Sequence, residues 1–186
     1  MTVTGLFSRL PAPRVGTGLR IILTVLAVML GTFGICGLVG LRINGSPSLP
    51  VGLYLVTAHS DSNLVEFCPP QLFAELANAR GYREAGSCPD GGAPLLKPIV
   101  AHAGDIVEVS REGIAVNGHL LPNTAPLKND TRNRPLTAWP SGRYTAGPDS
   151  VWVASSYNAR SFDSRYFGPV EVRSIRYFVR PWITLP

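Results

Sequence analysis

The segment Ser46-Pro47-Ser48-Leu49-Pro50 sets two hydroxyls among prolines, which stiffen the backbone and donate no ladder hydrogen bonds. A serine there becomes a nucleophile only when a nearby base removes its proton. Lys97 stands in the otherwise apolar run Leu95 to Ala101. Burial lowers a lysine pKa, by up to about 3–5 units for a fully buried amine, and a neutral amine is a base. A third segment, Ser161-Phe-Asp163-Ser-Arg165-Tyr-Phe-Gly168, offers a hydroxyl that can hydrogen-bond an amine. Asp163 and Arg165 alternate along a strand or turn there and can pair. Each segment has an ordinary alternative: a linker, a solvated strand lysine, a polar loop. The histidines His59, His102 and His119 fall in no recognisable arrangement and read as structural. No His-Glu-x-x-His occurs, which excludes that class of metalloprotease, and no cofactor or metal is expected.

These groups need a scaffold. The chain has 186 residues, enough for one domain with a real core. Its 19 glycines and 17 prolines point to a loop-rich, mostly β fold rather than a low-complexity chain. The formal charge of +5 is unevenly placed: Arg9, Arg14, Arg20 and Arg42 precede position 43 with no acid among them. The rest is close to neutral, which argues against nucleic acid as a partner.

From Ile21 to Leu41 no residue is charged. At ~1.5 Å per residue this stretch spans about 31 Å as a helix, the thickness of a bilayer core. Three arginines before it and one after favour a cytoplasmic N-terminus. A cleaved signal peptide fits less well, because the apolar stretch is too long and Gly40-Leu41-Arg42 is a poor small-x-small site. The expected organisation is a cytoplasmic tail over 1–20, a transmembrane helix over 21–41 and an extracytoplasmic domain over 43–186. The lipid bilayer is then a partner, and the site lies close to its outer surface. Cys36 falls within the apolar stretch. Cys68 and Cys88 lie in the exported part, where disulfides form. A bridge between them is expected, and two unpaired thiols are the alternative. A zinc site is not, since two cysteines without a nearby His pair do not make four ligands.

Short strands are expected at 52–57, 63–67, 95–100, 151–154 and 172–180, and a hairpin from 105–109 and 113–117. Pro69-Pro70 opens a helix over 71–80 that Gly81 stops. Residues 122–148 read as a long loop or paired edge strands. The sum is a folded-sheet or barrel-like domain.

Taken together, the three segments resemble the type I signal peptidase superfamily, membrane-anchored Ser/Lys endopeptidases. Their pattern is an anchor, Ser-x-Ser with a nearby Pro, a lysine followed by Gly-Asp, then Ser-x-Asp-Ser-Arg-Tyr-aromatic-Gly. All occur here in that order. The Ser-Leu-Pro-x-Gly-Leu-Tyr run from Ser48 and the Cys68-Pro-Pro to Cys88-Pro insert are most similar to the conjugative-transfer branch. The resemblance implies that Ser48 is the nucleophile and Lys97 its general base. It implies that Ser46 and the Ser48 N–H form the oxyanion hole and that Ser161 orients the lysine. It makes Asp163 and Arg165 a structural ion pair, and Gly104 and Asp105 a turn that fixes the strands around Lys97. Ser155-Ser-Tyr-Asn158 departs from the Gly-Asp-Asn-x of general signal peptidases. The implied substrate is a membrane-anchored pilin precursor, with or without ring closure of the product, at a bacterial inner membrane. The alternatives are a housekeeping peptidase acting on secreted preproteins and a non-enzymatic anchored subunit of a secretion channel. An apolar, aromatic cluster at Tyr177, Phe178, Trp182, Ile183 and Leu185 fits either lipid headgroups or ordinary packing.

Overall fold

A computed structural model describes residues 16–38 and 40–185; the side chains of residues 30, 32–38 and 60 lie outside that description. Arg9, Arg14 and the side chain of Cys36 therefore lie outside the described residues. The chain divides into two units, 1–39 and 40–186.

The first unit is a single helix, α1 (Thr17–Leu38). Apolar side chains surround it, and Leu19, Ile21, Ile22, Leu23, Val25 and Leu26 are each more than half exposed. Among the described residues no helix is long and apolar enough to cross a membrane.

The second unit is mostly β. Its strands are β1 (Leu41–Asn44), β2 (Gly52–Thr57), β3 (Leu64–Phe67), β4 (Leu95–Ala101), β5 (Ile106–Val109), β6 (Ile114–Val116), β7 (His119–Leu120), β8 (Gly142–Thr145), β9 (Ser150–Val153), β10 (Val170–Glu171) and β11 (Ile175–Thr184). They form two antiparallel sheets, ordered β1-β2-β11-β3-β4-β9-β10 and β7-β6-β5-β8. Both sheets are open, so the domain is a folded sheet rather than a closed barrel. One core cluster, with Val65, Phe67, Ile99, Val153 and Phe167, lies on the larger sheet. The other gathers Val107, Val109 and Ile114 of the smaller sheet with Trp152 of β9.

The helix α2 (Gln71–Ala79) follows Pro69-Pro70, and Gly81 at φ +67° stops it. The Cys68–Cys88 disulfide closes the insert around it. Closing a loop of this length stabilises by roughly 3 kcal/mol through the unfolded chain.

The structure differs from the sequence reading at four places. Leu41 begins β1 instead of ending a helix: Gly40 takes φ +66°, which a right-handed helix does not continue, and its carbonyl accepts the Val56 N–H at 3.0 Å. Arg42, read as a flank of the apolar stretch, sits in β1, where it pairs with Glu66 at 2.8 Å and covers the Tyr177 ring at 4.3 Å. Asp163 and Arg165 do not alternate on a strand; Asp163 caps the short helix α3 (Ser164–Phe167), which contains Arg165. The last strand starts at Ile175 after a turn over 172–174 and runs on to Thr184. Residues 122–148 combine both expectations, a long loop that supplies β8 and one isolated bridge, Asn129–Pro135.

Candidate active site

Ser46 and Ser48 occupy the loop between β1 and β2, and many struts hold it. The buried Asn44 side chain accepts the Ser46 N–H at 3.1 Å through Oδ1. Its Nδ2 donates to the carbonyls of Ser46 at 3.0 Å and Pro50 at 3.1 Å. The Tyr54 hydroxyl donates to the Pro50 carbonyl at 2.7 Å. Ser48 is 5% exposed, and the Ser46 and Ser48 Oγ atoms stand 3.0 Å apart. The Ser48 N–H points at Ser46 Oγ, 3.4 Å away.

Lys97 lies on β4, where β3 pairs it with Val65. Alternation along the strand turns Lys97, Ile99 and Ala101 inward. Lys97 is 3% exposed. Burial pushes its pKa down to about 8; the Asp163 carboxylate opposes that shift and the Arg165 charge adds to it. Asp163 does not serve the lysine as a direct partner. Its Oδ1 accepts the Arg165 Nε at 2.8 Å, and its Oδ2 accepts Arg165 Nη2 and the Ser155 N–H, each at 3.0 Å.

The Asp163–Arg165 pair is fully buried. Arg165 also donates to the carbonyls of Asn123, Ala159 and Ser155, each at 2.9 Å. One guanidinium thus fixes two loops, the one through Asn123 and the one from Ser155 to Ala159. Ser161 is 3% exposed, and its hydroxyl has no partner among the described residues.

Ser46, Ser48, Lys97 and Ser161 all line one cavity of about 360 Å³. Its walls include Leu95, Leu127, Leu136, Phe162 and Tyr166, and on one side Tyr82 and Asp130. Tyr82 belongs to the disulfide-closed insert and donates to Asp130 at 2.5 Å. Burial works to raise the Asp130 pKa, but hydrogen bonds from Tyr82 and Arg134 outweigh it and hold the carboxyl well below the usual range. The insert is thereby pinned to the 122–148 loop as one cavity wall.

Gly104 and Asp105 do not reach the cavity; they make the turn from β4 to β5. Gly104 takes φ +90°. The Asp105 carboxylate accepts the His102 N–H and the Asn117 amide, each at 2.8 Å. Hydrogen bonding from Asn117 and His102 lowers its pKa. The turn orients β4 relative to the smaller sheet.

Three residues escaped the sequence reading. Asn44 precedes Gly-Ser-Pro, and an asparagine two residues before a turn serine is a local signal of backbone capping. Ser155 and Asn158 appeared only as a departure from the general pattern. The Ser155 hydroxyl donates to the Ser48 carbonyl, and Asn158 Nδ2 donates to the Pro47 carbonyl at 3.1 Å. Nothing in their spacing marks them, because they act across 107 and 111 positions of sequence.

Chemically, the cavity presents a hydroxyl on a braced loop, a buried amine of lowered pKa and a backbone N–H beside the hydroxyl. That set suits acyl transfer.

The signal peptidase, peptidase S26 family matches residues 15–180. The plasmid transfer protein TraF of Escherichia coli is 40% identical over 174 residues, covering 92% of this chain and 96% of that protein. A probable conjugal transfer protein TraF of Sinorhizobium fredii is 38% identical over 159 residues, covering 82% of this chain and 81% of that protein. The conjugal transfer protein TraF of Agrobacterium fabrum is 34% identical over 168 residues, covering 87% of this chain and 93% of that protein. A crystal structure of a signal peptidase I from Enterococcus faecalis overlaps 66% of this chain and 97% of its own at 18% identity and a TM-score of 0.37. The chain belongs to the signal peptidase family, peptidase S26.

Proposed function

We propose that this chain is a membrane-anchored serine endopeptidase that uses Ser48 as nucleophile and Lys97 as general base. The carrying observation is that both residues, from separate elements and both nearly inaccessible, line one cavity with the Ser46 and Ser161 hydroxyls. Lys97 Nζ takes the Ser48 proton as Oγ attacks the scissile carbonyl carbon. The carbonyl π pair becomes an oxyanion, received by the Ser48 N–H and the Ser46 hydroxyl. Collapse breaks the C–N bond, and Lys97 returns the proton to the departing amine. Water, deprotonated by the same lysine, then attacks the acyl carbon; the C–O bond to Ser48 breaks, and Lys97 returns the proton to Ser48 Oγ. Ser161 lines the same cavity, and its hydroxyl, without a partner among the described residues, is the one available to orient the amine.

The anchor is the apolar stretch from Ile21, whose side chains over 21–29 are exposed in α1. A bilayer gives those side chains an apolar surrounding, and a helix satisfies its own backbone there. The domain from β1 onward then stands at the extracytoplasmic face of a bacterial inner membrane. The substrate is a membrane-tethered precursor. The relatives are named as plasmid and conjugal transfer proteins, which supports a precursor from a conjugation system over general secreted preproteins, and the resemblance makes that precursor a pilin.

Co-expression with candidate pilin precursors, read by intact mass, tests this. Wild type is expected to shorten the precursor, and Ser48→Ala to leave it at full length. A ring-closed product is lighter than the linear one by one water. Processing by Ser48→Ala at the wild-type level overturns the assignment.

A further inference from the structure

An oxyanion hole made from a backbone N–H works only if the peptide plane is aimed. Here that plane is the Pro47–Ser48 peptide, whose N–H belongs to Ser48. In a trans peptide the carbonyl and the N–H point in opposite directions, so whatever grips the Pro47 carbonyl aims the Ser48 N–H. Asn158 Nδ2 grips it, at 3.1 Å. The orientation of that amide is itself fixed. Asn158 Oδ1 accepts the Arg160 N–H at 2.8 Å, so the NH₂ end has to face Pro47. The next carbonyl, that of Ser48, is held by the Ser155 hydroxyl.

Both donors sit on one loop, and that loop is anchored. The Ser155 N–H binds Asp163, the Ser155 carbonyl binds Arg165, and the Ala159 carbonyl binds Arg165. The buried ion pair therefore braces the nucleophile loop through Ser155 and Asn158. A donor on the Pro47 carbonyl also polarises that peptide, which makes its N–H a stronger donor to a developing charge.

We propose, resting on the Ser48/Lys97 reading, that Asn158 and Ser155 are positioning residues that clamp the two carbonyls flanking Ser48 and hold its N–H beside the Ser46 hydroxyl, 3.4 Å away, where the two receive the oxyanion together. They touch no reacting atom themselves.

The test uses the full-length chain in detergent, a fluorogenic peptide with small residues at the cut, and a peptide aldehyde. Ser48 Oγ adds to the aldehyde carbon, its proton passes to Lys97, and the C=O pair becomes an oxyanion like that of the reaction. Asn158→Ala is expected to lower kcat and aldehyde affinity together by about 10- to 100-fold, with KM within about twofold. Asn158→Asp, of the same size but with an acceptor facing the carbonyl, is expected to do worse. Ser155→Ala is expected to act in the same sense, with Ser155→Thr recovering part of the loss. With Asn158→Ala and Ser155→Ala the pH midpoint near 8 stays in place, because neither adds nor removes a charge beside Lys97. An Asn158→Ala variant that keeps kcat within about twofold, loses kcat while binding aldehyde as wild type does, or loses activity only in step with unfolding overturns the clamp. Ser48→Ala is run beside it. Cleavage surviving in that control contradicts the dyad; a dead control with an intact Asn158→Ala contradicts the clamp alone.

Discussion

Lys97 can act as a base only without its proton, and its burial serves that end. Activity is therefore expected to rise with pH through about 8, the value to which burial lowers the amine. A kcat that stays flat from about pH 6 to 10 with chemistry rate-limiting contradicts the role. The same shift carries a stability cost. The folded pKa of about 8 lies below the 10.5 of an ordinary lysine. Between those values the unfolded chain binds the proton more tightly, so stability rises with pH across that window. Below pH 8 the full penalty of about 3 kcal/mol is in force. Lys97→Met, of similar length and no charge, should accordingly be inactive yet more stable at pH 7 by roughly 2–3 kcal/mol, and its stability should lose the alkaline rise. Denaturant unfolding at pH 7 and pH 10 reads this, and a Lys97→Met that is less stable at pH 7 refutes it. The lysine was legible in sequence because one charge in an apolar β run is conspicuous. Ser155 and Asn158 were not, since a hydrogen bond to a distant main-chain carbonyl leaves no local pattern.

At the scale of elements, local chemistry marked most of the fold. Pro69-Pro70 and Gly81 bounded α2, an apolar run marked β4, and two strand candidates flanking a short turn marked the β5–β6 hairpin. The misreadings share one cause, which is tertiary pairing. β1 exists because Leu41–Asn44 finds β2, and α3 because Asp163 caps it and the Arg165 guanidinium has buried acceptors waiting. Gly168 shows how tightly that corner is packed: it has φ +71°, and a Cβ there would lie 2.6 Å from the Trp139 ring. The element most critical to the site is the Asp163–Arg165 strut. Arg165→Ala should cost about 3–5 kcal/mol, because it leaves the Asp163 charge buried without its partner. Thermal or urea unfolding of the full chain measures that, and a loss below about 1 kcal/mol contradicts the strut.

The whole molecule divides its chemistry between two units. The charge of +5 read at first as a statement about partners. Its placement ahead of position 43 supports the proposed membrane topology instead. The structure refines that again, since Arg42 belongs to the β domain through Glu66 and Tyr177. The domain itself combines a near-neutral charge balance with one deeply buried amine, an arrangement suited to the proposed chemistry on a peptide. The central claim is that Ser48 and Lys97 together break that peptide. The most direct measurement is the cleavage rate of one small-residue peptide by the full-length chain as wild type, Ser48→Ala and Lys97→Ala, with unfolding followed in parallel. Each single substitution is expected to lower kcat by at least about 1,000-fold in a folded protein, and the double variant to lose little more, because the two residues act as a unit. A folded Ser48→Ala or Lys97→Ala that cleaves at the wild-type rate contradicts the account.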